Sequence, residues 1–134
     1  MNAEDIARQF VDAVNKHSVS AIYALMTEDH QFIDSSGEVL EGREPMKHGW
    51  RGYFAMVPDY LIKVTEIFHN GSTVVFLGTA SGTFKKGVTL KSENYWEIPA
   101  AWKVVVYGEQ IRVWQIYCDS EPVRAIMRRE ETME

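Results

Sequence analysis

In the stretch HQFIDSSGEVLEG, residues 30–42, Asp34 stands two positions after Phe32. Residues two apart on a strand share a face, so the Asp34 carboxylate points where the Phe32 ring points. A carboxyl held in an apolar pocket has its charged form disfavoured. Its pKa then rises, and it is suited to accept and return a proton near neutrality. The following Ser35-Ser36-Gly37 offers another reading, in which the Asp34 side chain opens an Asx-type turn. Both readings stand at this point.

Other side chains could assist. His30 begins the same strand and His48 lies on a later helical segment, so both can approach a pocket mouth. Asp119 ends the last strand and is a second acid–base candidate. If Trp114, Ile116 and Cys118 face inward, however, alternation turns Asp119 outward, where it would cap a helix from Ser120 to Met127. His17 fits a helix end, and His69, just before Asn70-Gly71, fits a solvated turn. The histidines lack helical ligand spacing, and there is no HExxH-like motif. Cys118 is the one cysteine, which excludes an internal disulfide and a cysteine-based metal cluster. Its expected role is packing. The reading calls for no metal and no cofactor.

Aromatic residues supply the strongest sign of binding. Trp50, Tyr53 and Phe54 sit on one helical segment; Tyr95, Trp102, Trp114 and Tyr117 lie on late strands. Core packing accounts for most such residues. Four tryptophans in 134 residues nevertheless exceed what a small core needs, and their polar tips can hold a ring-containing ligand.

The elements that must position these groups follow from periodicity. Ala3, Ile6, Ala7, Phe10, Val11 and Val14 recur at helical spacing, behind Asn2 as a cap. A shorter helix follows Ser18, and a third is expected over Arg43–Met56, stopped by Val57-Pro58. From Tyr60 onward the period becomes that of strands. Asn70-Gly71 makes a hairpin turn, Gly78 and Gly82 suggest bulges or bends, and Lys85-Lys86-Gly87 turns again. Val88 to Ile98 and Ala101 to Tyr107 read as strands, with Pro99 between them marking a bulge or an interruption, and Gly108-Glu109 leads into a last strand, 111–118. The result is a single α+β domain over 1–134, with a curved antiparallel sheet wrapped as a cone around three helices.

The bulk composition narrows the function classes. The chain is 46% hydrophobic and 25% charged with a formal net charge of −5, and its basic residues are scattered. No nucleic-acid footprint results. No apolar run reaches the ~20 residues of a membrane span. The N-terminal MNAEDIARQF is acidic and amphipathic, unlike a signal peptide, so a cytoplasmic location is expected.

The order αα-β-α-ββββ carries three landmarks: FVDAVNKHSVSAIYALMTEDHQFID, GREPMKHGWRGYFAMVPDY and AAWKVVVYGEQIRVWQIYCDSEPV. In that order and spacing the chain resembles the nuclear transport factor 2-like superfamily, which includes SnoaL-like cyclases and ketosteroid isomerases. The resemblance implies a cystatin-like cone and a homodimer. It places Asp34 where ketosteroid isomerases keep a proton-shuttling aspartate. Their oxyanion tyrosine would fall at Phe10 and their second aspartate near Trp102, and neither residue replaces the missing donor pair. SnoaL-like cyclases resemble the chain at Trp114–Asp119, where Asp119 matches an acid–base position.

The expected function is therefore cofactor-independent proton-transfer chemistry of SnoaL-like type on a small apolar or ring-containing ligand. Asp34 would be the acid–base, with His30 and Asp119 as further catalytic candidates. His48, Trp50, Tyr53, Phe54, Tyr95, Trp102 and Trp114 would line the site. The alternatives are a non-catalytic ligand-binding domain and a dimeric assembly subunit. For the last, Val104, Val106, Val113 and Gln115 would form an apolar sheet face.

Overall fold

Asn2 accepts a hydrogen bond from the Asp5 amide while the Asp5 carboxylate accepts one from the Asn2 amide. This reciprocal cap starts helix α1, Ala3–Asn15, in the computed structural model, which describes residues 1–132. Its apolar stripe, Ile6, Ala7, Phe10, Val11 and Val14, is buried. The chain leaves α1 through His17, whose φ of 54° reverses its direction and whose Nε2 lies 2.8 Å from the Tyr60 carbonyl. Ser18 then caps α2, Val19–Leu25. Strand β1, Met26–Ile33, starts several residues before the strand signal in the sequence. A turn at Gly37 returns it as the short β2, Val39–Glu41, and α3 runs Arg43–Met56.

The remaining strands are β3 (Leu61–Asn70), β4 (Thr73–Lys86), β5 (Thr89–Tyr107) and β6 (Gln110–Cys118), followed by α4 (Glu121–Thr132). Their order in the sheet is β2-β1-β6-β5-β4-β3. All pairs are antiparallel except β1 with β6, which run parallel. The expected α+β cone is formed. The parallel pair and β2 are additions the sequence did not announce.

Glycines set the curvature. A Cβ on Gly78 would sit 1.8 Å from the Lys63 carbonyl oxygen, because β3 bulges at Thr65 and presses its backbone onto β4. A Cβ on Gly82 would sit 2.2 Å from Val57 Cγ1, so the end of α3 rests on β4 at that point. Asp59 pins the contact by accepting from the Thr83 amide and hydroxyl, each at 2.7 Å.

Two expectations about the sheet are corrected. Pro99 does not interrupt a strand: β5 passes through it, paired Thr79 to Pro99. The β6 partner of β5 ends at the Ala100–Cys118 pair, so Pro99 lies where β5 has lost that neighbour and a missing N–H is tolerated. Second, Val104 and Val106 do not belong to an outer face. They are buried in the core with Trp102 and Trp96, and the outer face carries Lys103 opposite Gln115 and Val105 opposite Val113. The helix after Cys118 is longer than expected, reaching Thr132. No helix among the described residues is long and apolar enough to cross a membrane.

Candidate functional site

Between α3, the inner sheet face and α4 lies a cavity of about 370 Å³. Helix α3 contributes Met46, Trp50 and Tyr53; β5 contributes Trp96, Ile98 and Trp102; β6 contributes Trp114, Ile116 and Cys118; α4 closes it with Val123, Arg124 and Met127. The aromatic wall is continuous. Trp50 meets Tyr53 edge-on at 6.3 Å, Tyr53 meets Tyr60 at 4.9 Å, and Tyr60 lies 6.2 Å from Trp96. Across the cone Trp114 lies between Phe10, at 4.7 Å, and Trp102, at 6.3 Å.

Helix α4 is held in place as a wall. Asp119 Oδ1 accepts from the Glu121 amide at 3.0 Å, which starts the helix. At its other end the Glu130 carboxylate, 3% exposed, accepts from Asn94 at 2.5 Å and Lys91 at 3.1 Å. These partners, Asn94 foremost, hold the Glu130 carboxyl below the usual range.

Asp34 is at the cavity rim, next to exposed Ser35. Its Oδ1 accepts from the Ser36 amide at 2.9 Å, the Ser36 hydroxyl at 2.7 Å and the Glu38 amide at 3.0 Å. Those bonds, the Ser36 hydroxyl's foremost, hold the Asp34 carboxyl below the ordinary aspartate value. The geometry is that of the turn reading, and it orients the carboxylate toward its own loop. The expected result of a carboxyl NMR titration is thus a midpoint under about 3.9. Asp34→Asn keeps an acceptor oxygen and should leave stability nearly unchanged, whereas Asp34→Ala should lose about 1 kcal/mol. A midpoint well above the model-peptide value would restore the poised general base.

The other candidates are distributed unevenly. Trp50, Tyr53, Trp102 and Trp114 come together on the cavity as expected. His30 does not reach it. The ring is fully buried, stacked 6.2 Å from Phe10, with Nδ1 2.8 Å from the Ile111 carbonyl. Burial holds its pKa below the usual histidine value. His48 is exposed on α3, pointing away from the cone. Phe54 stacks on His17 at 4.3 Å, one helix face away from the cavity wall. Tyr95 is half exposed on the outer sheet face, because unbroken alternation through Pro99 gives it the opposite face from Trp102. Asp119 is exposed and serves the helix start.

Two aromatic cavity residues escaped the sequence reading. Trp96 was legible: counting back by twos from Trp102 through Ala100 and Ile98 reaches it. Tyr60 opens the alternating run with Ile62 and Val64, but it lies in the loop before β3, and its contacts with Tyr53 and Trp96 bring its ring to the cavity. Among the described residues no group of three or more His, Cys, Asp and Glu side chains is gathered as a metal site would need.

Comparison with known proteins agrees with this architecture. The chain is similar in structure to a candidate SnoaL-like polyketide cyclase of Shewanella denitrificans, with TM-score 0.81 and 12% identity over 95% of this chain and 97% of that one. It is also similar to an LEH-like epoxide hydrolase of M. tuberculosis, with TM-score 0.77 and 15% identity over 97% and 92%. A third is a hypothetical protein of Catenulispora acidiphila with a ketosteroid isomerase-like fold, in complex with trimethylamine. It has TM-score 0.76 and 22% identity over 90% and 89%. At these identities the likeness is one of fold. A comparison with curated proteins found no match. The sequence profile of the SnoaL-like domain matches residues 7–116, which is most of the chain. The protein belongs to the SnoaL-like domain family.

Proposed function

We propose that the cone binds a compact, ring-containing apolar molecule, and that binding rather than acid–base chemistry is what its wall is built for. The observation that carries this is the cavity itself. About 370 Å³ is walled in large part by Trp50, Tyr53, Tyr60, Trp96, Trp102 and Trp114, and Asp34, the one carboxylate lining it among the described residues, is engaged by Ser36 and Glu38. Cys118 also borders the cavity, but burial pushes its thiol pKa up, and a neutral thiol is a poor nucleophile. The trimethylamine complex of the Catenulispora protein supports small-molecule binding within this fold.

Titration with naphthalene, followed by tryptophan emission and by NMR, tests the reading. Saturable binding is expected, and Ile116→Trp should weaken it by filling the cone. Each two ligand carbons excluded should cost roughly tenfold in affinity, at about 0.8 kcal/mol per carbon. Binding unchanged by that substitution would place the ligand elsewhere.

A second reading, SnoaL-type proton transfer by Asp34, is favoured by the rim position of its carboxylate and by the enzymes among the structural neighbours. It requires a conformer in which the carboxylate leaves the turn. Turnover lost in Asp34→Asn with ligand affinity retained would support it.

A further inference from the structure

Helix α4 turns a short stripe toward the body of the fold: Val123, Ile126, Met127 and Glu130, spaced three and four residues apart. Val123 and Met127 of this stripe close the cavity, and the helix packs chiefly on β4 and β5. Three apolar side chains make a small contact, which puts α4 among the parts of the fold that open at low cost. Its ion pairs do not add to the attachment. Arg124 with Glu121, at 3.6 Å, and Arg128 with Glu121 both stay within the helix, stiffening it as a unit.

Two attachments remain. At the start of the helix, Asp119 and Ser120 lie outside any helix or strand and join it to β6. Near its other end, Glu130 is the centre of a polar cluster. Its carboxylate accepts from Asn94 and Lys91, and its backbone carbonyl accepts from Lys86 Nζ at 2.8 Å. Asn94 is buried and also donates to the Phe84 carbonyl at 3.2 Å. Arg129 donates to Asn94 Oδ1 and, at 3.2 Å, to the Glu93 carbonyl. All of these partners stand on β4 or β5.

A leucine at position 130 would have continued the apolar stripe, whereas a buried carboxylate carries a desolvation penalty that its partners must offset. What the carboxylate adds is a fixed seat for the helix. Water can replace its hydrogen bonds when the helix lifts, so their net strength is modest and the seat can be left and regained.

We propose that α4 is the door of the cavity, swinging on Asp119–Ser120, and that Glu130 with Asn94 and Lys91 is its latch. The proposal rests on the binding function proposed above and adds the route by which the ligand enters and leaves. Lifting α4 takes Val123, Arg124 and Met127 out of the wall, while α3 and the sheet keep the rest of it.

Amide exchange of the full chain, followed by NMR in low urea, tests the opening without any ligand. The amides of α4 should exchange faster than those of β5 and β6 and depend less on urea, as a local opening requires. Glu130→Ala should speed α4 exchange about tenfold, the net effect of one hydrogen bond or more. Naphthalene should then associate and dissociate about tenfold faster in stopped-flow tryptophan emission. Glu130→Gln keeps an acceptor for Asn94 and loses the charge facing Lys91. It should fall between wild type and alanine, and it serves the test if the alanine variant does not fold. Exchange in α4 as slow and as urea-dependent as in β5 and β6 would mean that the helix leaves only on global unfolding, and would overturn the door. Exchange in α4 unchanged in both variants would overturn the latch. Faster α4 exchange with unchanged naphthalene rates would route the ligand elsewhere and overturn the door as well. Local opening that responds to Glu130 in a protein that binds no naphthalene would uphold the latch and overturn the binding function alone.

Discussion

Replacing His30 with alanine is expected to destabilise the domain by about 3–5 kcal/mol while leaving the ligand affinity of the folded fraction unchanged. The reason lies where β1 meets β6. The parallel ladder breaks between the Met26–Ile111 and Gln31–Val113 pairs, so the strands need side chains to hold them there. His30 Nδ1–H donates to the Ile111 carbonyl at 2.8 Å, Thr27 Oγ1 adds a 3.4 Å bond to the same oxygen, and Gln110 Nε2 donates to the Met26 carbonyl at 3.2 Å. Alanine removes the principal donor to a buried carbonyl and opens a cavity beside Phe10. Urea unfolding measures the loss.

The pH dependence follows from the same burial. The His30 pKa is lowered in the folded protein, so the unfolded chain takes up this proton first as pH falls. The neutral ring's contribution is fully present above the unfolded value of about 6.5. Below that pH it declines by up to about 1.4 kcal/mol per pH unit, until the folded pKa is reached. The difference in stability between wild type and His30→Gln should carry this slope. If His30→Ala instead abolished binding or turnover with the melting temperature intact, the ring would belong to the site after all.

Gly78→Ala is expected to be nearly as damaging, at roughly 3 kcal/mol or more. The added methyl would lie 1.8 Å from the Lys63 carbonyl oxygen and 2.9 Å from its carbon. Both are backbone atoms, so no side-chain rotamer can relieve the clash. Either β3 separates from β4 around the Thr65 bulge or the sheet flattens, and both changes disturb the wall on which Ala80 and Trp96 sit. Gly52→Ala makes the control. Gly52 lies within α3, and nothing stands within 4 Å of its added Cβ. There alanine should stabilise by about 0.4–1 kcal/mol, through a lower entropy of the unfolded chain. Comparable melting temperatures for the two variants would mean that the close β3–β4 approach is not required.

What the sequence determined by itself were features decided within a few residues. The Asn2–Asp5 cap and the Val57-Pro58 stop of the Arg43–Met56 helix appear where their local chemistry put them, and the expected hairpin turns one residue later than Asn70-Gly71, with Asn70 paired to Thr73 and Gly71 taking the positive φ. The α+β cone followed from these and from the change of period near Tyr60. Of the candidate site, Trp50, Tyr53, Trp102 and Trp114 were legible because helix and strand periodicity place them on inward faces.

Tertiary structure decided the rest, for a common reason: each answer depended on a neighbour distant in sequence. Whether Pro99 breaks β5 depends on how far β6 extends beside it, and that set Tyr95 outside and Trp96 inside. The length of the first strand depended on β6, against which β1 aligns in parallel and to which His30 ties it. That β6 contact withdrew His30 from the pocket. Asp34 is the exception: both of its readings were local, and the Ser36 and Glu38 groups that decided between them lie only two and four residues on.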